Sequence, residues 1–61
     1  NFFIMEKVDE IYNYLTENQF FTDSELLLLT HINGYTVETL NSAIYARYGI
    51  RTYEGLLEDL A

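Results

Sequence analysis

The chain has 61 residues, 49% of them hydrophobic, with no cysteine and no proline, and its formal net charge at pH 7 is −7. This length allows one domain, residues 1–61, and the lack of cysteine excludes a disulfide framework or a thiolate metal site. The acidic balance disfavours nucleic acid and anionic membranes and makes protein partners more plausible. We therefore expect a folded cytoplasmic domain that needs no cofactor or metal.

The first segment has the apolar spacing of an amphipathic helix. Apolar residues recur at intervals of four, three and four, at Ile4, Val8, Ile11 and Leu15. Such residues lie on one face of a helix. The pattern predicts a helix over residues 3–17, closed by Asn18 in the left-handed conformation that often ends helices. The Phe2–Met5 run before it is too short for a signal peptide or a membrane span.

The second helix has a clear start signal. Thr22-Asp23-Ser24-Glu25 has the S/T-x-x-E form of a capping box, with Thr22 as the N-cap. Phe21, before the cap, and Leu26, four residues after it, form a hydrophobic staple pair. The pattern predicts a helix over residues 23–32 that stops at Asn33-Gly34.

Four consecutive leucines, Leu26–Leu29, lie inside this second helix. Successive helical residues are about 100° apart, so the four cover most of the circumference. A helix that is apolar nearly all round must be covered by other elements or by a partner chain. We therefore expect the other helices to pack around the second one.

Two further helices follow, each introduced by a threonine cap. Thr36 precedes a helix predicted over residues 37–48, with an apolar stripe made of Val37, Leu40, Ile44 and Tyr48. Gly49 ends it, and Thr52 caps a last helix over residues 53–60. The predicted fold is all-α: a small orthogonal bundle of four short helices (3–17, 23–32, 37–48 and 53–60) around the second.

The sequence has no recognisable catalytic motif. It contains no Gly-rich phosphate loop, no H-E-x-x-H and no cysteine nucleophile. His31 is the one histidine, close to the predicted end of the second helix, and we interpret it as a surface residue. Ser24 and Ser42 have no evident base beside them. We expect no enzymatic activity.

Aromatic residues are numerous for so short a chain, with six tyrosines and four phenylalanines. A bundle of this size cannot bury all of them. Their rings either line the edge of the core with the hydroxyl groups in water or form a recognition patch, since tyrosine is enriched in interface hot spots. The candidate interaction surface consists of Tyr12, Tyr14, Tyr35, Tyr45, Tyr53 and Leu57.

Four residues, Thr30, Gly34, Thr36 and Leu40, resemble the helix-turn-helix pattern. That pattern has a small residue, a glycine at the turn, a capping hydroxyl and an apolar residue that opens the second helix. The resemblance implies a recognition helix over residues 37–48, with Val37, Glu38, Asn41, Ser42 and Tyr45 as candidate DNA-reading residues. The acidic charge works against this function, because phosphate neutralisation supplies much of the affinity of DNA-binding proteins.

The segment from Ile32-Asn33-Gly34-Tyr35 to Leu60 also resembles ubiquitin-associated domains. These are small helical modules with a Gly-aromatic turn after the first helix and a Leu-rich last helix. The resemblance implies a protein-contact surface made of Gly34, Tyr35 and the Leu56-Leu57 face.

Asn33-Gly34-Tyr35 and the stretch from Ile44 to Gly49 further resemble small, acidic, uncharacterised helical proteins of Gram-positive phages and prophages. Small phage proteins can act as acidic decoys that imitate DNA phosphates. Such a role needs carboxylates along one exposed face of the first helix, and the candidates are Glu6, Asp9, Glu10 and Glu17.

The sequence therefore favours a non-catalytic protein-interaction module that self-associates, because a second copy would bury apolar surface that one copy cannot. The predicted homodimer uses the first helix or the Phe2-Phe3 end. The alternatives are a helix-turn-helix DNA-binding protein that uses the helix over residues 37–48, and the acidic decoy.

Overall fold

The computed structural model describes residues 6–60. Within that range the chain forms four helices and no strand: α1 (Lys7–Glu17), α2 (Asp23–Asn33), α3 (Val37–Tyr48) and α4 (Tyr53–Leu60). The prediction of an all-α bundle of four short helices is confirmed. The first helix begins later than expected, because Glu6 has extended backbone angles (φ −66°, ψ 153°) and acts as the N-cap. Residues 3–5 of the predicted helix lie outside the described residues.

Threonine side chains begin the last three helices, as predicted. Thr22 Oγ1 accepts a hydrogen bond from the Glu25 N–H at 3.1 Å, and the Thr22 N–H donates to Glu25 Oε1 at 2.9 Å, which completes the capping box. Thr36 and Thr52 each accept from the backbone N–H three residues later, at 3.1 and 3.0 Å. Local side-chain chemistry therefore determines where α2, α3 and α4 begin.

The end of α1 differs from the prediction. Asn18 is not left-handed (φ −99°), and Gln19 takes the positive φ of 63° instead. The reason is that the Asn18 N–H still donates a helical bond to the Tyr14 carbonyl at 3.1 Å, so the chain reverses one residue later. The ends of α2 and α3 follow the prediction, since Gly34 and Gly49 have φ values of 108° and 75°.

α3, rather than α2, lies at the centre of the bundle and packs against each of the other three helices. Its Leu40 and Ile44 side chains are completely buried, whereas α2 buries only Leu26 and Thr30. The expectation of a bundle arranged around the second helix was therefore wrong. The reason is that α4 packs mainly on α3, so the main neighbours of α2 are α3 and α1 and one side of α2 is left uncovered. The buried hydrophobic residues are Ile11, Leu15, Phe21, Leu26, Leu40, Ala43, Ile44, Tyr53 and Leu56.

α4 is attached to α3 and α1 by polar contacts around its first turn. The Tyr53 N–H donates to Asn41 Oδ1 at 2.9 Å, and Lys7 Nζ lies 3.3 Å from a Glu54 carboxylate oxygen. Gly55 allows the helix to lie close to the preceding turn, because a Cβ atom there would be only 3.0 Å from Ile50 Cγ2. These contacts explain how an eight-residue helix that contains a glycine is held in place.

Candidate functional site

Two buried residues define the side of α2 that faces the core. With Thr22 as the N-cap, Leu26 and Thr30 point inward, and the Thr30 hydroxyl donates to the Leu26 carbonyl at 2.8 Å. Residues two positions away from Leu26 and Thr30 must then point away from the core, since successive residues are about 100° apart. Leu28 and Ile32 are accordingly 61% and 68% exposed.

We call the solvent side of α2 the outer face; it consists of Ser24, Leu27, Leu28, His31 and Ile32, all of which are exposed. The leucine run predicted that other helices or a partner chain cover this helix; within one copy, Leu27 and Leu28 are left uncovered. Sequence analysis missed these residues and Ile32 as candidates, because local spacing does not show which side of α2 the other helices cover. Together the three aliphatic side chains expose roughly 300 Å², the lower end of the patch sizes that often prove functional.

The outer face carries no carboxylate. The acidic residues of α2 lie in its first turn, at Asp23 and Glu25. Glu25 is held by Arg47 of α3 in a two-pronged ion pair, with N–O distances of 3.1 and 2.8 Å. That guanidinium, with the Thr22 N–H, lowers the pKa of Glu25 from 4.5 to about 2. Although the chain is strongly acidic, the outer face of α2 is apolar and brings no negative charge into a contact.

An open groove of about 560 Å³ lies between α2 and α3, beside the outer face. Leu29 and Asn33, which directly follow Leu28 and Ile32 in sequence, line its α2 side. The remaining lining residues are Phe21, Glu38, Thr39, Ser42, Ala43, Ala46 and Arg47. The α3 wall is therefore made largely of small side chains.

The side of α2 that faces α1 has a different character. The Tyr12 hydroxyl donates to Asp23 Oδ1 at 3.3 Å, and the Tyr35 hydroxyl donates to an Asp9 carboxylate oxygen. The two tyrosine rings are 5.8 Å apart. Partial burial, together with the bond to Asp9, raises the pKa of Tyr35 to about 12. Two carboxylates and two phenols thus border α2 on this side.

The structure separates the residues of the predicted aromatic surface. Tyr53 is buried and packs edge-on against Tyr14, with ring centroids 5.6 Å apart. Tyr12, Tyr14 and Leu57 are half-buried against the core. Only Tyr35 and Tyr45 are exposed, and Tyr45 lies on α3 under the Arg51 guanidinium, 5.2 Å from the ring centre. The six residues therefore do not form one exposed patch.

Tyr48, predicted within the buried stripe of α3, lies at the edge of the bundle. Its hydroxyl donates to the Phe20 carbonyl at 2.6 Å. Arg47 donates to the same carbonyl at 3.2 Å, and its guanidinium lies 4.5 Å from the centre of the Phe21 ring. These contacts attach the turn between α1 and α2 to the end of α3.

The candidate DNA-reading residues are also divided. Val37 packs against the core and the Asn41 side chain supports the start of α4, whereas Ser42 and Tyr45 are exposed. The cation nearest to that exposed pair is Arg51, which lies over the Tyr45 ring.

Helix α1 offers less free surface than the sequence suggested. Its apolar stripe is used inside the bundle, since Ile11 and Leu15 are completely buried. Ile11 and Leu15 therefore offer no surface to a second copy, and Phe2-Phe3 lies outside the described residues. Among the candidate decoy carboxylates, Asp9 is bonded to Tyr35 and Glu10 lies 3.6 Å from Lys7 Nζ. The other two, Glu6 and Glu17, are exposed.

Within residues 6–60, no group of three or more His, Asp or Glu side chains is arranged to hold a metal ion. His31 is exposed in the last turn of α2, as its sequence position suggested. No helix among the described residues is both long and apolar enough to cross a bilayer.

The outer face of α2 and the adjoining groove are thus the features that most need an explanation outside the fold itself. Comparisons with protein-family models, curated proteins and solved structures gave no significant match for this chain, so the functional argument depends on these residues alone.

Proposed function

We propose that the chain is a small, non-catalytic protein-interaction module that self-associates through the outer face of α2. The observation that carries the proposal is the exposure of Leu27, Leu28 and Ile32 on a helix side that has no carboxylate. Residues three and four apart on a helix are neighbours, so Leu28 lies beside Ile32, and His31 connects Leu28 with Leu27 on the same face.

Electrostatics favour this face over the rest of the surface. Two copies that each carry a net charge of −7 repel one another. Contact is least unfavourable where carboxylates are absent, which is the outer face of α2. Because salt screens repulsion between exposed charges, self-association should strengthen as the ionic strength rises.

The size of the patch sets the strength of the association. At about 25 cal/mol per Å², burying roughly 300 Å² on each of two copies is worth about 15 kcal/mol. Association costs about 4–15 kcal/mol in lost translational and rotational freedom, before side-chain ordering is counted. Because these two terms are of similar size, and the roughly 600 Å² buried in total is below the minimum of about 1,000 Å² for most specific interfaces, we expect a weak dimer that exchanges with monomer.

Sedimentation equilibrium over a range of protein concentrations tests the proposal. The expected result is a shift from the monomer mass of 7.2 kDa towards twice that value as concentration rises. The double variant Leu28→Gln/Ile32→Gln should remain monomeric. Leu60→Gln is the matched control, because Leu60 is also exposed but lies on α4. A monomeric wild-type chain at all concentrations, or equal loss of dimer in the control, would reject self-association through α2.

A helix-turn-helix function is the second candidate, supported by one geometric observation. α2 and α3 are joined by only three residues, Gly34 to Thr36, as in DNA-binding helix pairs. The exposed side of α3 presents Ser42 and Tyr45, with Arg51 nearby.

An NMR titration with a mixed-sequence DNA duplex at low salt tests this second candidate. Shift changes confined to α3 that weaken as salt rises, and that are lost in Arg51→Gln, would favour DNA binding over the first proposal. An unchanged spectrum would eliminate it.

A further inference from the structure

The outer face of α2 is too small to form a stable interface by itself. A biological interface normally buries at least about 1,000 Å² in total, whereas the exposed aliphatic side chains of two copies supply roughly 600 Å². If self-association occurs as proposed above, on which this inference rests, neighbouring surface must also be covered. The question is on which side of α2 the contact extends.

Charge decides between the two sides. Towards α1, the outer face is bordered by Asp9 and Asp23, each hydrogen-bonded to a tyrosine. A second acidic copy would bring further negative charge against these carboxylates. Towards α3, the border is the groove, whose lining includes one carboxylate, Glu38, and the Arg47 guanidinium that is paired with Glu25. The contact is therefore more favourable on the α3 side.

The groove is large enough to receive aliphatic side chains. An apolar cavity of about 150 Å³ accommodates a molecule as large as benzene, and the volume of this open groove is about 560 Å³. Ala43 and Ala46 in its α3 wall would let a second helix approach closely. Glu38 is the carboxylate among the lining residues. It lies in the first turn of α3, at the opposite end of that helix from Arg47.

We propose that Leu28 and Ile32 of one copy insert into the α2–α3 groove of a second copy, and that the second copy does the same in return. The inserted residues and the groove adjoin on the same helix, because Leu29 of the lining lies three residues before Ile32, which makes the two side chains neighbours. A surface that carries both the inserting side chains and the groove that receives them can bind the same surface of a second copy around a two-fold axis. The resulting assembly is a closed dimer rather than an open chain.

Cysteine cross-linking tests this arrangement directly, because the chain contains no cysteine of its own. An Ile32→Cys chain is mixed with a size-tagged Ala46→Cys chain under mild oxidation, and the disulfide-linked heterodimer is measured with time. The matched control pairs Ile32→Cys with Tyr45→Cys, which lies next to Ala46 on α3 but does not line the groove. The proposal expects the Ala46 pair to cross-link at least about tenfold faster, a difference expected for contacting rather than merely neighbouring positions.

A second measurement uses charge instead of cross-linking. Ala46→Glu should raise the dimer dissociation constant at least about tenfold, whereas Tyr45→Glu, which adds the same charge outside the groove, should change it less than about threefold. A dimer that is lost in Leu28→Gln/Ile32→Gln but unaffected by Ala46→Glu would overturn the groove proposal and leave self-association standing. A wild-type chain that stays monomeric would overturn both.

Discussion

Helices α1 and α2 have the same length of eleven residues, and each places two side chains in the core. Their solvent sides differ. α1 presents Asn13 and Glu17 to water, whereas α2 presents Leu27, Leu28 and Ile32. Helix formation does not require this difference, because glutamate and lysine have helix propensities close to that of leucine. The comparison teaches that the outer face of α2 is more apolar than the fold of one copy needs.

Truncating a side chain should lower the free energy of unfolding much more on the buried side of α2 than on its outer face. Leu26→Ala removes a completely buried side chain and should lower the free energy of unfolding by about 2–5 kcal/mol. Leu28→Ala removes an exposed one and should change it by less than about 0.5 kcal/mol. Urea denaturation followed by circular dichroism measures both, at the lowest usable protein concentration so that self-association does not contribute. Similar losses in the two variants would contradict the register described for α2.

The N-terminal ends of the two helices give a second contrast. Thr22→Ala removes the hydroxyl that accepts the Glu25 N–H bond of the capping box, and it should lower the free energy of unfolding by about 1 kcal/mol. Glu6, the N-cap of α1, makes no side-chain capping bond. Glu6→Ala should therefore change stability by less than about 0.5 kcal/mol in the same denaturation experiment. A larger loss at Glu6 than at Thr22 would contradict this difference between the helix starts.

The turn that connects α1 to α2 can be improved. Gln19 has a φ of 63°, a conformation that L-residues adopt only with strain, and Gln19→Gly should raise stability by about 0.5–1 kcal/mol. Asn18→Gly should instead lower it, since the Asn18 amide donates to the Tyr14 carbonyl at 2.9 Å. Thermal unfolding of the two variants checks the opposite signs. If Asn18→Gly were stabilising, residue 18 rather than Gln19 would have the left-handed conformation, as the sequence had predicted.

The ion pair between Glu25 and Arg47 at the start of α2 should produce a small pH dependence of stability. The pKa of Glu25 falls from 4.5 to about 2 in the folded chain, so the ionised carboxylate favours folding. This contribution is fully present above pH 4.5 and is lost as the pH falls from there towards 2. The effect is small because the pair is exposed. Denaturation at several pH values should show Glu25→Gln losing this component, while Glu17→Gln on α1 retains it.

Much of the fold was predictable because it is encoded locally. The threonine caps at Thr22, Thr36 and Thr52 and the glycines at Gly34 and Gly49 act within a few residues of chain, so sequence alone located three helix starts and two helix ends. The apolar stripe of α1, which includes Ile11 and Leu15, likewise predicted the residues that this helix buries.

The tertiary arrangement decided what the local signals could not. A run of four leucines does not state which of them will be covered, because that depends on how many other helices reach the same side. Leu26 is completely buried in the core, while Leu27 and Leu28 remain exposed. The aromatic residues were redistributed in the same way, with Tyr53 buried and Tyr45 left exposed. Sequence by itself determined the four helices and those of their ends that a threonine cap or a glycine sets. The packing of the other helices against α3 determined which apolar side chains remain exposed, because burial depends on contacts between segments that are distant in the chain.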